Sequence, residues 1–217
     1  MGRWSPKDDA ADHGGWWFLI RSILSAVPLE VPLRITGGTL RGRSLPGRVG
    51  SGVRPTGARV REALFNILGN DLGGLDVLDA TGGTGLLAFE AASRGARRVL
   101  VLERDRRTAA AIGERARALD LEGRVTVRCC DALVGAAREG TFAIVLADPP
   151  YTEPLGPWLA ALLPCARQVL VIEHAVRQRP PEGPVGWNLE VRRYGDTALS
   201  FYRPSASEGD GRSPEAR

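Results

Sequence analysis

Between Leu75 and Glu173 the chain repeats one pattern five times: LDVLDA, RVLVLE, VTVRCC, FAIVLA and QVLVIE, each separated from the next by a helix-like segment. Runs this continuously apolar and β-branched belong to strands buried on both faces, as in a largely parallel sheet covered by helices on each side. The chain is therefore expected to be an α/β protein. Two further runs, WNLEVRRY and TALSFYR, flank the turn-like Gly195 and Asp196. They predict a closing antiparallel hairpin, for a mostly parallel sheet of seven strands. Ahead of the first strand, RVREALFNIL places Val60, Leu64, Ile67 and Leu68 at helical spacing, with Thr56 after Pro55 in position to cap the helix.

A chain of 217 residues suits one domain. Residues 33–203 are expected to form the folded body, Met1 to Pro32 a partly disordered extension, and 204–217, which lack apolar periodicity, a disordered tail. The apolar stretch Trp16 to Val27 is interrupted by Arg21 and too short to span a bilayer. Asp8, Asp9 and Asp12 precede it, where a secretory signal would carry positive charge, so a packed extension of a cytoplasmic protein is the expectation. Cys129, Cys130 and Cys165 lack paired metal-ligand spacing and only His13 and His174 accompany them, so no metal site is expected.

The formal net charge is +4, with a sequence pI near 9.4. Lys7 is the sole lysine among 29 basic residues. Arg34 to Arg61 holds seven arginines, at positions 34, 41, 43, 48, 54, 59 and 61, and no acid. Such uncompensated charge favours a polyanionic partner over a merely solvated face.

LDATGGTGLLAFEAASRGA, from Leu78 to Ala96, reads as a strand end, a glycine turn and a helix. Gly82, Gly83 and Gly85 permit a sharp turn and a close approach by a ligand. The spacing is not the G-x-G-x-x-G that cradles a pyrophosphate, and Asp79 at the strand end would repel phosphate. A carboxylate there suits an ammonium group, which tilts the turn toward a phosphate-free nucleoside such as S-adenosylmethionine. Glu103, about 20 residues past the glycines, can take both ribose hydroxyls. Asp131 and Ala132 end the third strand at the same edge, where Asp131 either accepts an adenine amine or caps the following helix. His174 and Glu173, at the fifth strand end, read as structural.

The fourth strand ends in Asp148, Pro149, Pro150 and Tyr151. The prolines stop sheet pairing and fix the chain, so the Asp148 carboxylate and the Pro149 carbonyl can both accept hydrogen bonds. The exocyclic amine of a nucleobase is a poor nucleophile because its lone pair is delocalised. Two acceptors on its hydrogens favour a pyramidal nitrogen facing an electrophilic methyl. Tyr151 would stack on the flipped base.

DPPY combined with DATGGTG resembles the S-adenosylmethionine-dependent amino methyltransferases. RITGGTLRGRSL, RPTGARVREALFNIL, LLAFEAASRGA, VLERD and ADPPY are similar more closely to the RsmD-like 16S rRNA guanine-N2 methyltransferases, over roughly Arg34 to Tyr202. The resemblance implies a Rossmann-like class I methyltransferase fold. It implies cofactor contacts at Asp79, Gly83, Gly85, Glu103, Asp131 and Ala132, and a target amine held by Asp148, Pro149, Pro150 and Tyr151. Arg41, Arg43, Arg54 and Arg59 would then hold RNA, the substrate being small-subunit rRNA or an assembled or partly assembled 30S particle and the enzyme a monomer. The chain departs from the family where FAGSG is usual: Thr81 replaces an aromatic and Gly82 an alanine. An adenine-N6 nucleic-acid methyltransferase would use the same grip. A non-catalytic RNA-binding assembly factor with a decayed pocket is the alternative from another class, with Thr81 as its hint.

Overall fold

The apolar runs become strands because both faces of each need covering. The computed structural model describes residues 33–46 and 57–205. The extension before Leu33, Arg48, Arg54, Thr56 and the tail beyond Ser205 lie outside them. The strands are β1 (Asp76–Asp79), β2 (Arg98–Glu103), β3 (Val125–Cys129), β4 (Phe142–Ala147), β5 (Ala166–Ala175), β6 (Trp187–Tyr194) and β7 (Thr197–Pro204). They form one sheet in the order β3-β2-β1-β4-β5-β7-β6. The first five are parallel, and β7 runs antiparallel between β5 and β6. β7 includes Arg203 and Pro204, so the sheet continues one residue past the boundary expected at 203.

The helices are α1 (Ala58–Leu68), α2 (Leu86–Ser93), α3 (Arg106–Ala118), α4 (Ala132–Gly135) and α5 (Leu155–Leu162). Alternate strand residues divide between two cores. Val77, Val99, Val101, Ile144, Leu146 and Phe201 pack with Leu64, Phe65, Phe89 and Ile112 of α1 to α3 on one face. Leu78, Leu100, Leu102, Val145, Leu170 and Tyr202 pack with Trp158, Leu159 and Leu162 of α5 on the other. Truncating one such fully buried side chain to alanine costs about 2–5 kcal/mol.

The α1 prediction needs two corrections. The N-cap position is Gly57, without a side-chain cap bond, so Thr56 is not the cap residue. The buried face is Val60, Arg61, Leu64 and Phe65, while Ile67 is exposed. Arg61 is 2% exposed, so it does not belong to a solvated run of seven cations. It faces Glu90 of α2, itself fully buried, at 3.9 Å, and its Nη2 donates to the Arg34 carbonyl at 2.8 Å.

Glu90 also accepts from the Thr36 amide and from Arg94 Nη2 at 3.3 Å. This cluster docks the segment 33–46 onto α2. The Thr39 amide donates to the Ser93 carbonyl and the Leu40 amide to Ser93 Oγ, so the end of α2 gains partners for its last groups. Gly38 makes the approach possible: its φ is +74°, and a Cβ there would fall 2.0 Å from the Ser93 carbonyl oxygen.

Candidate active site

Strand order reverses between β1 and β4, and a crevice opens there at the carboxyl ends of the strands, where open α/β sheets bind ligands. A cavity of about 910 Å³ fills it. Thr81, Gly83, Glu103, Asp131, Ala132, Asp148, Pro149, Pro150 and Tyr151 all line this one space. The fold thus brings together residues that lie up to 70 positions apart in the chain.

Two expected cofactor residues, Asp79 and Gly85, are not in the wall. Gly85 is the N-cap of α2 at φ +79°, and a Cβ there would meet the Phe89 ring at 2.7 Å. Left-handed conformation and close packing, rather than an open approach for a ligand, explain this glycine. Asp79 is 1% exposed beneath the turn, with Oδ1 accepting from the Thr81 amide at 3.2 Å and Oδ2 buried without a hydrogen-bond partner. Burial raises its pKa to about 7, only partly opposed by the Thr81 amide.

Glu103 behaves differently. Its Oε2 accepts from the Gly83 amide and its Oε1 from the Asp105 amide, both at 2.8 Å. The carboxylate is thereby fixed at the end of β2 while each oxygen keeps a second lone pair. Asp131 serves as the N-cap of α4, accepting from the Leu133 amide at 2.8 Å, and lines the cavity at the same time. The capping alternative is therefore realised, and it does not remove Asp131 from the wall.

Across the switch, Tyr151 is anchored by its hydroxyl, which donates to Glu173 Oε1 at 3.1 Å and meets Thr197 Oγ1 at 2.9 Å. Burial raises the Tyr151 pKa to about 12, so the phenol stays protonated. Glu173 and Thr197 both line the cavity, which sequence reading missed. The signal was present for Glu173, since it sits near the end of β5 on the edge that carries the other acids. His174 is structural: its Nδ1–H donates to the Ala175 carbonyl, Nε2 accepts from Ser200, and burial lowers its pKa.

Of the arginines expected to hold RNA, Arg41, Arg43 and Arg59 are exposed. Gly57, Val60 and Arg61 line the cavity, and Arg59, two positions from Arg61 on α1, does not. Among the described residues no cluster of His, Cys, Asp and Glu could hold a metal, and no helix is long and apolar enough to cross a membrane.

The sheet order, the glycine turn and the proline-containing loop across the switch define the Rossmann-like methyltransferase fold, here with an antiparallel C-terminal hairpin. A family model described as Conserved hypothetical protein 95 matches residues 33–203, and the chain belongs to that family. It is 32% identical over 186 residues to the ribosomal RNA small subunit methyltransferase D of Escherichia coli strain K12, across 80% of this chain and 91% of that protein. The protein of the same name from Haemophilus influenzae is 32% identical over 180 residues, across 79% and 92%. A solved methyltransferase structure from Escherichia coli superposes with a TM-score of 0.70 at 32% identity, covering 80% of this chain and 98% of its own. A hypothetical protein from Thermus thermophilus gives 0.66 at 28% identity, covering 78% and 98%.

Proposed function

We propose that this methyltransferase-family protein uses S-adenosylmethionine to methylate the N2 amine of a guanine in small-subunit rRNA. The observation that carries the reading is the convergence on one cavity of the glycine turn, Glu103, Asp131 and the Asp148–Tyr151 loop. The names of the relatives, which are small-subunit rRNA methyltransferases, support the substrate class.

The residues fit the cofactor. Glu103, in the cavity wall, is held where it can accept from ribose hydroxyls, and Asp131 lies in the same wall with its second oxygen available to an adenine amine. Bound there, S-adenosylmethionine supplies an electrophilic methyl on a sulfonium. The protein's own task is the amine. The Asp148 carboxylate and the Pro149 carbonyl accept its two N–H groups and localise its lone pair. Tyr151, held by Glu173 and Thr197, gives the base a fixed plane on which to stack. The methylated amine is acidic enough to lose its proton to solvent, so no dedicated base is required. Arg41, Arg43 and Arg59, all exposed, neutralise backbone phosphates of the RNA.

The test is labelled methyl transfer to unmodified small ribosomal subunits, with nucleoside analysis of the product. Wild type yields N2-methylguanosine, and Asp148→Ala lowers the rate by about 10²–10³, the usual effect of removing one such electrostatic group. Equal incorporation by both proteins sinks the proposed site, and N6-methyladenosine as product replaces guanine by adenine.

A further inference from the structure

Thr81 is where this chain departs from the aromatic residue usual in the family it resembles. In the structure its hydroxyl oxygen accepts the Asp148 amide at 2.7 Å, across 67 positions of sequence. Its own amide donates to Asp79 Oδ1 at 3.2 Å. One residue of the glycine turn is thus bonded on one side to the buried acid beneath that turn and on the other to the first residue of the acceptor loop.

The location of the Asp148 amide gives the bond its importance. The parallel pairing of β1 with β4 ends at Asp79 and Leu146, and the Ala80 amide donates to the Leu146 carbonyl just beyond. Asp148 therefore lies past the ladder. Pro149 and Pro150 follow and carry no N–H, so the Asp148 amide is the last backbone donor before Tyr151. A side-chain hydroxyl can accept from it, and a phenyl ring cannot. Without an acceptor, a part-buried amide costs about 1–3 kcal/mol or moves to find water.

We propose that Thr81 is a positioning residue that ties the cofactor turn to the amine-gripping loop, so that the Asp148 carboxylate and the Pro149 carbonyl are aimed before substrate arrives. This rests on the function proposed above, and it reverses the reading of Thr81 as a mark of decay. A displacement of about 1 Å in a group that orients a reacting nitrogen can cost 10²-fold in rate, so one backbone bond at this position has leverage.

Thr81→Val keeps the shape and removes the acceptor, while Thr81→Ser keeps the acceptor and removes a methyl. Amide hydrogen exchange at Asp148 is measured first, with no substrate present. It is expected to be at least about tenfold faster in Thr81→Val and near wild type in Thr81→Ser. Unchanged exchange in Thr81→Val overturns the proposal whatever the enzyme's substrate proves to be. On small ribosomal subunits, kcat is expected to fall about tenfold in Thr81→Val and to return to within about threefold in Thr81→Ser. Calorimetric affinity for S-adenosylmethionine should stay within about threefold in both, which also verifies folding. An undiminished kcat in Thr81→Val, or a loss confined to cofactor affinity, overturns the positioning role. If wild type itself transfers no methyl to subunits, the proposed function fails, and the exchange result still decides the bond.

Discussion

Arg59 and Arg61 lie two positions apart on α1, yet Arg59 is exposed and Arg61 is 2% exposed against Glu90. A helix turns about 100° per residue, so a two-residue step carries a side chain to the opposite face. One face of α1 holds the segment 33–46 in place through the Arg61–Glu90–Arg94 cluster, and the other offers charge to solvent. The difference teaches that an arginine-rich stretch is not one feature. Its buried members build the platform, and its exposed members are available for a polyanion. The acids divide in a related way. Asp79 is buried and raised to about 7, while Glu103 is fixed by two backbone amides in the cavity wall.

Removing the anion of the buried cluster breaks the contrast hardest. Glu90→Ala leaves Arg61 and Arg94 buried without their shared carboxylate and is expected to lower stability by about 3–5 kcal/mol in urea unfolding. A variant as stable as wild type would mean that the two buried guanidiniums need no paired charge. Next comes Asp79, whose folded state keeps its proton up to about pH 7 whereas the unfolded chain releases it near 3.8. Its contribution to stability is complete below pH 3.8 and is lost as pH rises to about 7. By about 1.4 kcal/mol per pH unit, the loss amounts to a few kcal/mol. Asp79→Asn should remove that slope, and unfolding curves for the two proteins at pH 4, 5.5 and 7 measure it. The smallest stability effect belongs to the exposed set. Replacing Arg41, Arg43 and Arg59 together with glutamine should leave the unfolding midpoint unchanged. Affinity for small-subunit rRNA should fall, and the slope of log affinity against log salt should shrink by about one for each phosphate left without its arginine. A shifted midpoint with unchanged RNA affinity would place these arginines with Arg61 instead.

Much of the fold was legible. β2 and β4 span the runs read from sequence because a strand buried on both faces writes its limits as continuous apolar composition, whereas β6, a half-exposed edge strand, was bounded by the turn at Gly195. The start of α1 was misread because a Thr after Pro is a common cap signal, whereas here the cap position is Gly57. Asp148 and Tyr151, read from the chemistry a planar amine would require, both line the cavity. Glu173 was read as structural because a methylated amine loses its proton to solvent and needs no base, and its bond to the Tyr151 hydroxyl could not be seen from the chain alone. Gly85 was assigned to a ligand, although Phe89 and Ile112 already fill the space its missing side chain leaves.

By itself, the sequence determined what periodicity and local chemistry encode: a mostly parallel α/β sheet, a glycine turn after β1, acids at successive strand ends and a proline-locked loop after β4. These are properties of single segments, set by side-chain alternation and by the backbone limits of glycine and proline. Only the tertiary structure decided which Arg is buried, which acid is raised and which hydroxyl holds the Asp148 amide. Those outcomes depend on groups tens of residues apart meeting in a medium that excludes water, where a missing partner or an unpaired charge costs several kcal/mol. Thr81 shows the limit most directly: as a letter it is a departure from a family pattern, and in space it is the bond between the two halves of the site.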